Sequence, residues 1–337
     1  MLKKTLKFLA WTLAALVVLA GAAYWYASNR AMANYHRHWT AHDASFPIPF
    51  PLSDAELEQL RQQPHVVRAS TNDEAEPPLR LDVQAITLAR AVANGKHLVD
   101  SRLSCGGCHG SDFGGHAVVD APFVARWIAP NLTSGKGSVT TGFRAEDWDR
   151  AVRHGIRHTG ETSSMPVQEF VNLSDHELSD VVAYLRSVPP VDRDLGPTRM
   201  GIVFTFLAAF DSSAFATPGI DHSRPHPVEP PAAAVTAEYG EHLVQVCRGC
   251  HGPTLSGGKI AGDPNMPEPA NLTPHETGLK NWTEADFIRA LREGKRKDGT
   301  AILEAMPWRS FGQMDDTQLK AIYAYLRTIP ARPKGAR

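Results

Sequence analysis

The pentapeptide Cys-x-x-Cys-His occurs twice in this 337-residue chain, as Cys105-Gly106-Gly107-Cys108-His109 and Cys247-Arg248-Gly249-Cys250-His251. These motifs use all four cysteines of the chain. Two thiols three positions apart can each form a thioether to one porphyrin edge, with the next histidine held under the iron, so the pattern is that of c-type haem attachment. A zinc ribbon would need its two pairs roughly 15–20 residues apart, whereas 139 positions separate Cys108 from Cys247. A thioredoxin-like redox pair does not explain a histidine after the second cysteine in both copies. Four cysteines would also suit two disulfides, but the haem reading leaves none over. The sequence therefore predicts two covalently bound haem c groups, one on Cys105 and Cys108 and one on Cys247 and Cys250, with His109 and His251 as axial ligands of iron.

The chain repeats around these motifs, which is the signal to seek first in any fold reading. Gly95-Lys96-His97-Leu98-Val99 answers Gly240-Glu241-His242-Leu243-Val244, with a Gly-to-Cys spacing of ten in the first copy and seven in the second. Asn131-Leu132-Thr133 answers Asn271-Leu272-Thr273, and Met165-Pro166 answers Met306-Pro307. Each copy closes with a helical pattern, Asp175 to Arg186 and Asp316 to Arg327, with Ser174 and Asp315 as N-caps, Glu177 completing a capping box, and Pro189 and Pro330 beyond the last turn. Short helices between Gly- and Pro-rich loops, without alternating strands, predict an all-α fold in which a prosthetic group supplies much of each apolar centre.

An iron with one histidine needs a sixth ligand, and His/Met is the common electron-transfer pair, the thioether raising the potential. Of seven methionines only Met165 and Met306 hold matching places, 56 and 55 positions after His109 and His251. Most methionines fill cores, but the duplicated spacing and Met-Pro pair single these two out. Met314 has Leu173 in its place in the first copy, and His116, His154 and His158 have no histidine counterpart in the second; surface or helix-end positions account for them. Trp282 could donate its indole N–H to a haem propionate, a role Phe143 cannot fill in the first copy, where Trp148 or Arg153 would have to take over. Pro130 and Pro269 could offer a backbone carbonyl to Nδ1 of the proximal histidines, although they stand at different distances from the following asparagine.

The N-terminus carries Lys3, Lys4 and Lys7, then an uncharged stretch from Phe8 to Ala27. Twenty helical residues span about 30 Å, the thickness of a bilayer core. The lysines place their end in the cytoplasm and send the rest across, with Trp25 and Tyr26 at the far interface. A cleaved signal peptide ending near Ala20-Gly21-Ala22 is the competing reading, but its apolar core would be unusually long. A formal net charge of −1 gives no argument for a nucleic-acid partner.

Both halves resemble class I cytochrome c domains: Cys-x-x-Cys-His, the Asn-Leu-Thr loop, the Met-Pro loop and a closing Tyr-Leu-Arg helix. The pattern, especially Glu284 to Arg292, is similar to that of the cytochrome c subunits of bacterial membrane-bound alcohol and gluconate dehydrogenases, which usually carry three haem motifs where this chain has two. The resemblance implies two tandem class I cytochrome c domains after one N-terminal transmembrane helix. The expected organisation is an anchor at 1–28, a stalk at 29–84, haem domains at 85–192 and 235–332, and a Pro-rich linker at 193–234, in which Met200 to Phe215 could form a short helix between the domains or at the membrane. The implied function is electron relay rather than catalysis, at the bacterial inner membrane with the haem domains in the periplasm. The implied partners are redox proteins: a periplasmic or membrane-bound dehydrogenase, or a quinol-side source, as donor, and a cytochrome or oxidase as acceptor. Two alternatives are a dihaem peroxidase, which needs one iron open to peroxide, and a haem-based sensor or assembly factor, for which no signalling domain is seen after Ala331.

Overall fold

A computed structural model describes residues 2–62, 82–260 and 266–336. Part of the expected stalk, 63–81, lies outside them. The chain opens with α1 (Leu2–Tyr35), a single helix running from the lysine cluster through the whole apolar stretch. Its Ala- and Leu-rich composition favours helix, and the apolar side chains from Leu6 to Leu19 project outward, exposed. A short α2 (Asp54–Gln62) follows.

The first copy of the repeat begins with α3 (Val83–Leu98), capped by Asp82, and ends with α6 (Asp175–Ser187), capped by Ser174 and Glu177 as the sequence predicts. Between them lie α4 (Cys105–His109) and α5 (Ala145–Val152). The second copy runs from α8 (Ala237–Leu243) through α9 (Gln245–His251), α10 (Glu284–Glu293) and α11 (Trp308–Phe311) to α12 (Asp316–Leu326), where Asp315 and Gln318 form the capping box.

The repeated glycine is explained by packing. In each copy the first helix crosses the last at that residue: a Cβ on Gly95 would overlap the Asp180 carbonyl, and one on Gly240 the Ala321 carbonyl. The Asn-Leu-Thr loops are staples. Asn131 Nδ2 donates to the Val191 carbonyl at 2.7 Å and Asn271 Nδ2 to that of Arg332 at 2.7 Å, each tying down the chain beyond the last helix. In both copies the threonine hydroxyl donates to the asparagine Oδ1 at 2.8 Å. The three extra residues of the first copy are absorbed by a π-helical segment, Val99–Leu103, before Ser104 turns with φ 49° into the motif.

Two features depart from an all-helical pair of beads on a linker. First, a small antiparallel sheet forms, β1 (His116–Ala121), β2 (Ala125–Ala129) and β3 (Arg199–Met200), in that order. Val119 stands opposite Trp127 and Ala117 opposite Ile128, with Val118 in a bulge between them; β-branched and aromatic residues suit a pleated surface. Second, the stretch between the copies is packed. After β3, α7 (Ile202–Phe210) lies against the end of α1, where fully buried Ala27, Ala31, Ala208 and Ala209 let the axes approach. Arg30 Nε and Asn34 Nδ2 donate to the Ala209 and Ala208 carbonyls at 2.6 and 2.8 Å. Further on, Pro227 and Val228 accept from the first N–H groups of α6 at 2.9 and 3.0 Å.

The two copies share one apolar core, running from Leu178 and Val182 on α6 to Leu319 and Ile322 on α12. Across the boundary the contacts are reciprocal. His97 of α3 meets Gln318 of α12 at 2.9 Å, and His242 of α8 meets Glu177 of α6 at 2.9 Å. Each histidine belongs to the repeated Gly-x-His, and each partner is the third residue of a closing helix. This i-to-j, j-to-i pattern is that of a two-fold interface, formed here within one chain.

Candidate haem sites

Each Cys-x-x-Cys-His forms a helical turn closed by a glycine with positive φ, Gly110 at 83° and Gly252 at 80°. The next loop folds back to fix the histidine carbonyl: Gly115 N–H donates to that of His109, and Gly257 N–H to that of His251, both at 2.9 Å. The imidazoles are oriented from the other side. His109 Nδ1 lies 2.8 Å from the Pro130 carbonyl, and His251 Nδ1 lies 2.7 Å from that of Ala270. A donor role for Nδ1 makes Nε2 the metal-binding atom of each ring. Pro130 thus stands where the sequence suggests, but Pro269 does not: its carbonyl accepts from Gly258 N–H at 3.1 Å, and Ala270 takes the histidine. The physical reason is register. The partner in both copies is the residue directly before the stapling asparagine, and proline chemistry plays no part because the group used is a backbone carbonyl.

In the second copy a cavity of about 500 Å³ opens beside the motif. Cys247, Cys250 and His251 line it, with Met306 and Trp282 also on its wall. Its size and mostly apolar wall suit a cofactor. Met306 is held on a loop, its N–H donating to the Leu303 carbonyl at 3.0 Å. Met314, almost fully buried, also lines the cavity. Trp282 is positioned through its carbonyl, which accepts from the Tyr323 hydroxyl at 2.7 Å. In the first copy Cys105 and Met165 pack against the shared core, and Met165 N–H donates to Ser163 Oγ at 3.2 Å. The indole Nε1 of Trp148 is buried there without a hydrogen-bond partner, whereas Arg153 is committed to Asp149, Asp175 and the Leu173 carbonyl. The donor set fits haem in both copies: a cysteine pair, an oriented imidazole and an apolar surround, with an orphaned indole N–H in the first.

All four cysteines are free of disulfides. Burial pushes the Cys105 and Cys247 thiols up to about 12. Among the described residues, no cysteine joins another cysteine or a histidine in a group of three metal donors.

One residue of the site was not legible in the sequence. Glu169, just after the Met165-Pro166 loop, reaches the second motif, where it lines the cavity and where a side chain on Gly249 would strike its carboxyl. Burial pushes its carboxyl up to about 7. Its charge also acts on Cys108 of the first motif, so the group stands between the two attachment sites.

Comparison with known proteins agrees with the geometry. The sequence model of the cytochrome c family matches residues 92–189 and 237–330, more than half of the chain. The chain is 28% identical to the cytochrome c subunit of the quinone-dependent alcohol dehydrogenase of Gluconobacter oxydans over 271 residues, 70% of this chain and 54% of that protein. It is 26% identical to a dihaem c-type cytochrome of Cereibacter sphaeroides, over 61% of this chain and 72% of that protein. Over 114 residues, 30% of this chain, it is 40% identical to a nicotinate dehydrogenase subunit of Pseudomonas putida. The chain spans about half the length of the alcohol dehydrogenase relative and 9% of the nicotinate dehydrogenase one.

Proposed function

The chain belongs to the cytochrome c family and carries two covalent haem c groups, and on that premise we propose that it relays single electrons in the periplasm, from a dehydrogenase or quinol-side donor to a terminal acceptor such as a cytochrome or an oxidase. The observation that carries this reading is the duplicated spacing of a histidine and a methionine, His109 with Met165 and His251 with Met306, which we take as the ligand pairs. Bound there, haem c supplies reversible one-electron chemistry at a potential raised by a thioether ligand. The residues do the rest. The carbonyls of Pro130 and Ala270 orient the two imidazoles, and the methionine loops would close the sixth positions, leaving neither iron open to peroxide. Trp282 is the group we assign to a haem propionate in the second copy.

The assignment of a dehydrogenase as donor rests on the relatives named as cytochrome c subunits of alcohol and gluconate dehydrogenases. Anchoring by α1 rests on its uninterrupted apolar surface and on Lys3, Lys4 and Lys7, which favour a cytoplasmic N-terminus. Beside it, α7 exposes Ile202, Val203 and Phe210, a surface suited to the headgroup region.

Visible spectra of the oxidised holoprotein test the ligation. Met165→Ala and Met306→Ala should each remove about half of the methionine–iron charge-transfer band and lower one midpoint potential, while Met314→Leu leaves both bands intact. Two unchanged spectra in the alanine variants would refute the ligand assignment. Peroxide turnover by the wild type with a reduced donor would replace the relay with a peroxidase.

A further inference from the structure

Outside the haem sites, three chain segments converge on a group of buried donors. Asp149 lies on α5 and His154 two residues beyond its end; neither is exposed to solvent at all. His42 comes from the N-terminal extension and His226 from the Pro-rich stretch between the copies. One ligand atom from each of these four side chains lies within 4.8 Å of every other. We propose that His42, Asp149, His154 and His226 form a structural binding site for a first-row divalent cation of borderline softness, zinc.

The spacing fits. Zinc binds imidazole nitrogen and carboxylate oxygen at about 2.0–2.1 Å in tetrahedral sites, which sets neighbouring donors about 3.3–3.4 Å apart. His154 Nε2 and His226 Nε2 are 3.2 Å apart, and Asp149 Oδ2 is 3.5 Å from His154 Nε2. Hydrogen bonding alone leaves this group unsatisfied: His42 Nδ1 and Asp149 Oδ2 are buried with no partner. Buried polar atoms are rarely left so, and one cation at the centre answers both.

The surrounding groups support ligation. His154 Nδ1 faces His222 Nδ1 at 3.1 Å, and with His154 Nδ1–H as the donor its Nε2 lone pair is left inward for the cation. A backbone hydrogen bond to Val171 orients His226 in the same sense. Arg153 is the opposing charge. Its Nε and Nη2 engage Asp149 Oδ1 at 2.7 and 2.6 Å, while Asp175 takes Nη2 from the other side at 2.8 Å. The guanidinium is thus matched by two carboxylates, and Asp149 Oδ2 remains for the cation.

The site has a plain mechanical consequence. It would fasten the extension and the later part of the inter-copy stretch to the first haem domain, where His42 N–H already donates to the His222 carbonyl at 2.9 Å. Four protein donors with no open position mark a structural rather than a catalytic zinc site.

The test uses the full-length holoprotein in detergent, stripped with a chelator, reloaded with zinc sulfate and desalted. Elemental analysis should then give about one zinc for every two irons, the irons serving as the internal standard. His42→Ala and His226→Ala should each lower that ratio at least about tenfold with the iron content and Soret band unchanged, whereas His116→Ala, on β1, should not. Little zinc retained by the wild type, or full retention in both variants, overturns the proposal. Should the variants fail to fold, zinc K-edge absorption of the wild type decides: three imidazoles and one oxygen support the site, and a sulfur or six-oxygen shell overturns it.

Discussion

The junction between the two haem domains contains a buried charge cluster whose worth can be worked from its geometry. Arg102 is 1% exposed and its Nη1 donates to Glu177 Oε1 at 2.6 Å. His242 Nε2 lies 2.9 and 3.0 Å from the two carboxylate oxygens and 3.1 Å from Arg102 Nη1. Burial alone would raise the Glu177 carboxyl, but Arg102, His242 and the Ser174 N–H together hold it at about 2, below its ordinary 4.5. The difference corresponds to about 3 kcal/mol at neutral pH. A carboxylate with a depressed folded pKa contributes stability that is complete above its unfolded value and is lost as pH falls through its folded value. Here the window runs from about pH 4.5 down to about pH 2. Glu177→Gln is the informative change, because glutamine can still accept from Ser174 N–H and keep the capping box while Arg102 is left buried without its counter-charge. The expected cost is about 3 kcal/mol at pH 7, read from guanidinium unfolding followed at the Soret band, and it should fall to less than half of that at pH 3. A cost below about 1 kcal/mol at pH 7, or one that does not change with pH, would show that Arg102 is compensated by something other than Glu177.

Two further expectations concern the haem sites and the helix crossings. Glu169 ionises near pH 7, and its negative charge beside both motifs favours the oxidised state, so midpoint potentials should fall between pH 6 and pH 8 by an amount on the order of tens of millivolts. In Glu169→Gln a pH titration of the potentials should be flat over that range. Gly240→Ala places a methyl group on the Ala321 carbonyl and should push α8 off α12. The cost should reach about 3 kcal/mol or more, seen as a lower thermal midpoint and reduced haem incorporation, whereas Gly21→Ala, in α1 with helical backbone and nothing within 4 Å, should cost far less.

What the sequence displayed well was the short-range structure that the repeat states twice. The Cys-x-x-Cys-His turns, the N-caps at Ser174 and Asp315 and the two closing helices arise from short-range chemistry, and each occurs in both copies. The small sheet was missed because β1 and β2 occur in the first copy and their third strand comes from beyond its closing helix. The proximal carbonyl of the second copy was misplaced by one residue because proline was taken as the marker, when the stapling asparagine sets the register. Donors gathered from three segments, as at His42, His154 and His226, leave no spacing to read. One of those segments is Pro-rich and has the composition of a free linker.

The contacts between the copies are a subtler case, because their members were in plain view. His97 and His242 recur at the same place in the repeat, and so do Glu177 and Gln318, yet neither histidine meets the partner in its own copy. Each reaches across to the closing helix of the other, at 2.9 Å in both directions. A repeated residue is therefore not by that fact an internal feature of the repeat; under two-fold packing, repetition is also what an interface requires. The asymmetry then carries its own information. The π-helical insertion Val99–Leu103 occurs in the first copy and brings Arg102 to one of the two crossings, where the partner is Glu177. At the other crossing the third helical residue is the neutral Gln318, which His97 meets without a charged partner of its own. The charge buried at this interface is a matched pair, Arg102 with Glu177, as burial demands, so a residue that breaks the repeat at such a boundary is best interpreted together with the residue opposite it.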